Sequence, residues 1–422
     1  MKLLVVGNRV PWPLHDGGAI ATYGMLRSLA ENGAEVDFFC FNTKKHYAEN
    51  ATIEKYFGFC RVHLVPLDAS IRPWKALKNL FFGGSYHTER YWDDAAANQL
   101  FDCIKSKNFD CVMIEGLYSM PIALDVMQRC KDLNTDQTNS MKSNAAGEML
   151  LPPRIWVYRS HNIEHQIWER LASTTSQFLK RWYLALQSKR LKAYEIGAWK
   201  CVNAIIPIVS TDAAVIQRDL HPEGPKIHVY QPGIAIERPF SFVHKPLSVF
   251  HIGSMEWDAN VQGVMWFLQK VWPRILLLEP QAKFHLAGKG LKKEDPRFFQ
   301  TGIVNHGEVE DAEDFMQSHG VMIVPIQAGS GIRIKSLEAM ALGVPLVSTS
   351  VGAQGLQISS GTELIIADDP ENFAKGVIEL LSDPMQSQAM TEKARAYVEL
   401  YHNLKRNTAD LLVFLGQLKD LN

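Results

Sequence analysis

Short apolar runs that end at a glycine or a polar loop alternate along this chain with stretches of helical spacing. That alternation restricts the fold more than any other feature. Leu3–Val6 is continuously apolar, and the loop Asn8–Gly18 that follows ends in Asp16-Gly17-Gly18. Ile20, Tyr23, Leu26 and Leu29 then keep helical spacing, Gly33 supplies a stop, and Val36–Phe41 is apolar again. Runs without polar alternation fit strands buried on both faces, so the pattern implies parallel sheets covered by helices. It recurs at Cys111–Ile114, Ile155–Tyr158, Ala204–Ile208 and Ile227–Tyr230.

A second series starts near Ser248, with strands expected at Val249–Ile252, Lys283–Ala287, Val321–Pro325 and Pro345–Thr349. Val261, Val264, Met265, Leu268, Val271, Trp272 and Ile275 trace one helical face, and a helix over Ile334–Leu342 stops at Gly343. Two series in 422 residues predict two α/β domains, each a doubly wound, Rossmann-like parallel sheet. The expected boundaries are 1–232 and 247–404, with a linker at 233–246 and a last helix, about 405–422, packing back on the first domain. Facing each other across a cleft, such halves would bind ligands at the C-terminal edges of their strands. Lys131–Pro153, rich in Asn, Thr, Ser and Asp, reads as a mobile surface loop.

Composition removes several function classes. A net charge of -1 provides no global field for nucleic acid. Six cysteines lack the C-x-x-C spacing of zinc or redox sites and read as buried free thiols in a reducing compartment. No apolar stretch reaches the roughly 18 residues of a membrane span, and the run after Lys2 is too short for a signal peptide. A cytoplasmic protein is expected.

The segment from Val324 to Ala341 carries the most chemistry. A strand runs into the loop Gln327-Ala328-Gly329-Ser330-Gly331-Ile332, which opens a helix. Glycines let the backbone approach an anion, and the amides at a helix start point at it. Arg333 and Lys335 would oppose the helix dipole there unless an anion is bound. A tight turn alone could explain the glycines, and Glu338 alone could be a solvated helix residue. The whole string, through Glu338-Ala339-Met340-Ala341-Leu342-Gly343-Val344-Pro345-Leu346-Val347, resembles the donor-site signature of retaining glycosyltransferases of family 4, which have the GT-B fold.

That resemblance implies transfer of a sugar from a nucleoside diphosphate sugar, UDP- or GDP-linked, to an acceptor hydroxyl, with retention of configuration. It implies that Glu338 holds the ribose hydroxyls and that Gly331 and Ile332 offer amides to the diphosphate. The family's first glutamate is replaced by Ser330, which with the neighbouring backbone would contact the sugar. His251–Asn260 resembles the Gly-x-Met-x-Trp-x-x-Asn stretch of a bacterial subgroup, with Gly253 ending a strand and Asn260 fitting a helix N-cap. The arginine and lysine that many members carry after this glycine are missing, so Arg333 and Lys335 would take over the neutralisation of the diphosphate. Gly17 and Gly18 match a glycine pair that approaches the donor phosphates, although a plain turn explains them as well. Leu286–Gly290 also follows a strand and could face the nucleotide base or phosphates, or be a common glycine turn; Glu308–Asp311 matches a family loop near the base, or is plain acidity at a helix N-terminus.

Ser160–His165 resembles the family's His-Asn-x-Glu pattern, which implies that His161 lies near the reacting sugar carbon. The same residues fit the H-x-x-E-H pattern of a zinc peptidase, with His161 and His165 as ligands; a third reading has Asn162 capping a helix. No D-x-D motif is present and the fold type works without metal, so neither a metal nor a cofactor is expected. The acceptor implied is a bacterial glycan or a lipid-linked intermediate. Gln166–Tyr194 and Arg72–Phe82, both basic and aromatic, could dock on anionic lipid at the inner face of the membrane, or be half-buried helices with solvated lysines. A sugar-nucleotide-binding protein without activity is the rival from another class.

Overall fold

The computed structural model describes the chain except residues 15–16, 73, 75–78, 80–82, 138–152, 154, 221–223, 237, 329–330 and 422. Asp16, Gly329 and Ser330, with most of the expected loop at 131–153, lie outside the described residues; Lys131–Gln137 are the last turns of a helix that begins at Met120. The chain forms two compact units. The first comprises Met1–Leu14, Gly18–Gln231 and Lys405–Asn422, and the second is built on Pro232–Leu404.

The first unit holds β1 (Lys2–Gly7), β2 (Glu35–Thr43), β3 (Arg61–Leu67), β4 (Cys111–Glu115), β5 (Ile155–Ser160), β6 (Ala204–Pro207) and β7 (Lys226–Ile227). They form one seven-stranded parallel sheet in the order β3-β2-β1-β4-β5-β6-β7. Side chains alternate along each strand, so consecutive apolar residues feed two cores. Leu4, Val6, Val112, Ile114 and Tyr158 enter one. Leu3, Val5, Cys111, Met113 and Val157 enter the other, together with Leu411, Leu415 and Leu418 of the last helix. That continuous burial explains why the apolar runs are legible as strands.

The second unit holds β8 (Ser248–Ile252), β9 (Lys283–Ala287), β10 (Ile303–Gly307), β11 (Val321–Val324), β12 (Leu346–Ser348) and β13 (Ile365–Ile366). Their order is β10-β9-β8-β11-β12-β13, again parallel throughout. In both sheets the strand order reverses beside the first strand of the unit. The reversal lies between β1 and β4 in one sheet and between β8 and β11 in the other. Open α/β sheets bind ligands at such points.

Seven helices matter below: α1 (Gly17–Glu31), α2 (Glu164–Thr174), α3 (Phe178–Trp199), α4 (Asp258–Trp266), α5 (Ala312–Ser318), α6 (Ile334–Leu342) and α7 (Leu404–Leu421). The helical face expected over 261–275 is split: α4 widens into a π turn at Phe267–Val271 before a further helix at Trp272–Leu278. Pro273 has no N–H to continue an α-helical ladder, which accounts for the widening. α6 ends as expected on Gly343, whose φ of 83° is left-handed. Gln166–Tyr194 is helical but falls in two helices, Glu164–Thr174 and Phe178–Trp199. The π-widened helix is a departure from the sequence reading. So is Cys201, which is exposed rather than buried.

Where the chain enters and leaves the second unit, its two segments are clasped together. Ile234 N–H donates to His402 O at 2.9 Å, and Leu404 N–H donates to Ile234 O at 3.1 Å. His402 Nδ1, fully buried, donates to Pro232 O at 2.8 Å. Gly233 has no room for a side chain here, because a Cβ would lie 2.5 Å from Leu404 Cα.

The start of α2 is capped from another helix. Glu195 of α3 accepts from Glu164 N–H and His165 N–H, both at 3.0 Å, and from His165 Nδ1 at 2.7 Å. Asn162 is therefore not the N-cap expected from sequence; Ile163 occupies that position and the capping oxygen comes from thirty residues away. Glu195→Ala should cost about 3 kcal/mol, because buried donors would lose a charged partner. Urea denaturation measures it, and a change under about 0.5 kcal/mol would remove Glu195 from this role.

Candidate functional site

At the reversal point of the first sheet, β4 and β5 end on a charged pair. The register sets Glu115 directly beside Arg159. Arg159 is wholly buried, its guanidinium bonds Glu115 Oε1 and lies over the Tyr230 ring at 5.3 Å. Thr22 of α1 donates to the same oxygen at 2.8 Å, and His161 Nε2 approaches it at 2.6 Å. Burial alone would raise the Glu115 carboxyl, but the Arg159 charge, helped by His161 and Thr22, outweighs it and holds the group at about 2. An ionised carboxylate only accepts, so His161 Nε2 carries a proton. Arg159 Nη1, 3.4 Å from that nitrogen, is then a second donor beside it rather than its partner. His161 Nδ1 is left for a ligand. Among the described residues Glu115 Oε2 has no hydrogen-bond partner.

Of these groups Glu115, Thr22 and His161 line a cavity of 670 Å³ within the first unit, with Gly18, Tyr118 and Glu164 also on its wall. Arg9, Lys44, Lys45 and Arg90 border it as well, so its surroundings favour an anion. Glu164 accepts from Tyr118 Oη at 3.1 Å, while burial and then the charge of Glu195 raise its carboxyl to about 7. The cavity thus holds one carboxylate fixed as an anion and one poised to exchange a proton near neutrality. Glu115, Arg159, Thr22 and Tyr118 escape a sequence reading. The available signals were the two charged residues, Glu115 and Arg159, that end otherwise apolar strands.

The zinc-peptidase reading of Ser160–His165 does not hold. His161 precedes α2 and binds Glu115, whereas His165 lies in its first turn and binds Glu195. The two imidazoles serve different carboxylates, and neither belongs to a group of side chains close enough for a metal among the described residues.

In the second unit the other candidate residues gather on two neighbouring loops. Gly331, with φ 85°, precedes α6, and a Cβ on it would meet nothing within 4 Å. The side chain of Ile332 packs toward Gly355, where an added Cβ would lie 2.7 Å from Ile332 Cγ1. Arg333 is the N-cap residue of α6, and its guanidinium lies over the Trp257 ring at 5.1 Å. That contact ties the loop after β11 to the loop after β8. Burial lowers the Arg333 pKa, as expected for a cation held without full hydration. Lys335 pairs with Glu338 Oε2 at 2.7 Å across one helical turn. The first amides of α6 are the orphan donors that any helix start presents.

Gly253 N–H donates to Ala287 O at 3.1 Å. A Cβ on Gly253 would lie 2.8 Å from Asn260 Nδ2 and 3.0 Å from His251 Nε2, so the position has no room for a side chain. Asn260 is not an N-cap. It lies inside α4 and donates from Nδ2 to Ser254 O at 2.9 Å, which pins the β8–α4 loop.

The Glu164 carboxyl gives a pH signature. Its folded pKa, about 7, lies above the model-peptide value, so its contribution to stability is complete below about 4.3 and is lost as pH rises through about 7. Glu164→Gln should flatten the fall in stability across that window. Denaturant midpoints taken every half pH unit measure it, and an unchanged slope would contradict the assignment.

Residues 246–383 match the family described as Glycosyl transferases group 1. An uncharacterized 44.6 kDa protein in the cps region of Klebsiella pneumoniae is 22% identical over 418 residues, covering 96% of this chain and 97% of that protein. The GDP-mannose-dependent monoacylated alpha-(1-6)-phosphatidylinositol monomannoside mannosyltransferase of Corynebacterium glutamicum is 26% identical over 145 residues, covering 31% of this chain and 38% of that protein. Among solved structures, Anabaena Alr3699/HepE in complex with UDP and glucose aligns with a TM-score of 0.62 at 13% identity over 99% of both chains. The chain therefore has the GT-B fold, and its second unit carries a glycosyl transferases group 1 region.

Proposed function

We propose that this protein transfers a glycosyl group from a nucleoside diphosphate sugar, UDP- or GDP-linked, to an acceptor hydroxyl with retention of configuration. The observation that carries this reading is the start of α6. Arg333 and Lys335 stand at a helix terminus that already bears positive potential; Lys335 is met by Glu338 and Arg333 lies over the Trp257 ring, and a phosphate group suits the same end of the helix. Departure of a diphosphate is the costly step of such a transfer, and preorganised donors aimed at it lower the barrier.

In this reading Gly329, Ser330, Gly331 and Ile332 contact the diphosphate and sugar, while Arg333 and Lys335 neutralise the leaving group. Glu338 keeps Oε1 outside its pair with Lys335, and that oxygen accepts from the ribose hydroxyls. Gly17, Gly18 and Gly253 give close backbone approach. His161, oriented by Glu115, uses Nδ1 toward the sugar. Neither a metal nor a cofactor takes part in the step, since the cations of the chain carry its charge balance.

The acceptor would be a glycan or a lipid-linked intermediate. Arg9, Lys44, Lys45 and Arg90 around the first unit's cavity suit an anionic acceptor, and the C. glutamicum relative is named for action on a phosphatidylinositol mannoside. Phe178, Leu179 and Trp182 stand exposed at the start of α3 beside Lys180 and Arg181, which suits contact with the inner face of an anionic membrane. Among the described residues no helix is long and apolar enough to cross one.

A thermal-shift panel of UDP- and GDP-sugars, followed by turnover with the stabilising donor, tests the reading. A stabilised protein with neither transfer nor donor hydrolysis would leave a binding protein in place of an enzyme. Glu338→Ala should weaken donor binding about tenfold or more, the loss expected for hydrogen bonds to a charged group; calorimetry measures it, and unchanged affinity would refute the ribose role. His161→Ala should lower kcat about a hundredfold while donor affinity stays within about twofold. Steady-state kinetics on the same donor decides, and a fully active variant would exclude His161 from the reaction.

A further inference from the structure

The second unit contains three histidines that the proposed transfer does not use. His285 lies on β9, His306 on β10 and His319 directly after α5. One ligand nitrogen from each lies within 4.8 Å of the other two. Three separate elements are needed to assemble this group. Phe284 and Leu286 are buried in the core, and His285 between them projects to the opposite face of the sheet. A bulge between Asn305 and Gly307 takes His306 out of the ladder with β9. Bulges re-aim side chains, and here His285 Nδ1 and His306 Nε2 come to 3.0 Å.

His319 is oriented by its own helix. Its Nδ1 lies 2.7 Å from Phe315 O, and a carbonyl only accepts, so Nδ1 holds the proton and Nε2 keeps its lone pair. This backbone hydrogen bond is the kind of outer contact that fixes the tautomer of a metal-binding histidine. The rings of His285 and His319 lie 4.2 Å apart, and Phe250 and Phe315 pack beside them.

We propose that His285, His306 and His319 bind a divalent first-row transition metal, with zinc as the reference ion, at a site separate from the residues assigned to the donor. Three neutral imidazoles suit zinc, copper and nickel far better than magnesium or calcium. Tetrahedral zinc at about 2.0–2.1 Å from nitrogen asks for ligand nitrogens about 3.3 Å apart. The His285–His306 pair need open only slightly from 3.0 Å to meet that. The fourth position takes water or an anion, which the nearby charges of Lys245, Lys283 and Lys293 favour. Bound metal would staple β9 and the edge strand β10 to the end of α5.

The test uses the full chain, stripped with chelator and then given zinc chloride alone. Calorimetry should show one zinc per chain and a Tm rising with zinc concentration. Cobalt(II) in its place should give the intense visible bands of a tetrahedral nitrogen site. His306→Ala and His319→Ala should each weaken zinc binding about tenfold or more, whereas His63→Ala, in the first unit, should leave it unchanged. Absence of tetrahedral cobalt bands from the unaltered protein would overturn the proposal whether or not the variants fold. Zinc uptake that survives both substitutions would overturn it as well.

Discussion

A guanidinium with no surface in water needs a carboxylate beside it, and the Arg159–Glu115 pair meets that need at the point where the first sheet reverses order. Removing one half of such a pair would strand the other, at a cost of about 3–5 kcal/mol. The pair also does more than hold two strands in register. By accepting from Thr22 as well, Glu115 Oε1 ties α1 to β4 and β5. By taking the proton-bearing nitrogen of His161, it fixes which face of that ring meets the cavity. Geometry at this edge therefore follows from one oxygen atom.

The second unit handles its charges differently. Arg333 rests on an aromatic face and Lys335 on a neighbouring carboxylate, so neither depends on a deeply buried ion pair. Contacts of this kind are individually weak. Trp257, which the sequence offers only as one letter of a motif, thus acquires a physical role. Its ring packs against the guanidinium of Arg333.

What was legible in the sequence depended on whether a residue's partners are local. Leu3–Val6 of β1, Cys111–Ile114 of β4 and Ile155–Tyr158 of β5 are continuous apolar runs because both faces of the sheet are covered, and α6 announces its end with Gly343. β3 and β10, the outermost strands on one side of each sheet, carry Arg61, His63, Asn305 and His306 and break that pattern, while β13 is only two residues long. The sequence also brings out Gly18 and His161, which border one cavity. It does not bring out Glu115, because the charge that ends β4 meets its partner, 44 positions on, only through strand register. The cap of α2 escaped for the same reason: its oxygen comes from Glu195, whereas local spacing pointed to Asn162.

The clasp of Ile234 with His402 and Leu404 means that residues 232–404 leave and rejoin the rest of the chain at adjoining points. A segment tied off in this way behaves as an insert. It can be exchanged for another of different length without stretching its host, since the cost of closing the loop is already met at its neck and grows only slowly with loop size. The sheet that carries Arg159 and Glu115 is built wholly from residues outside that segment.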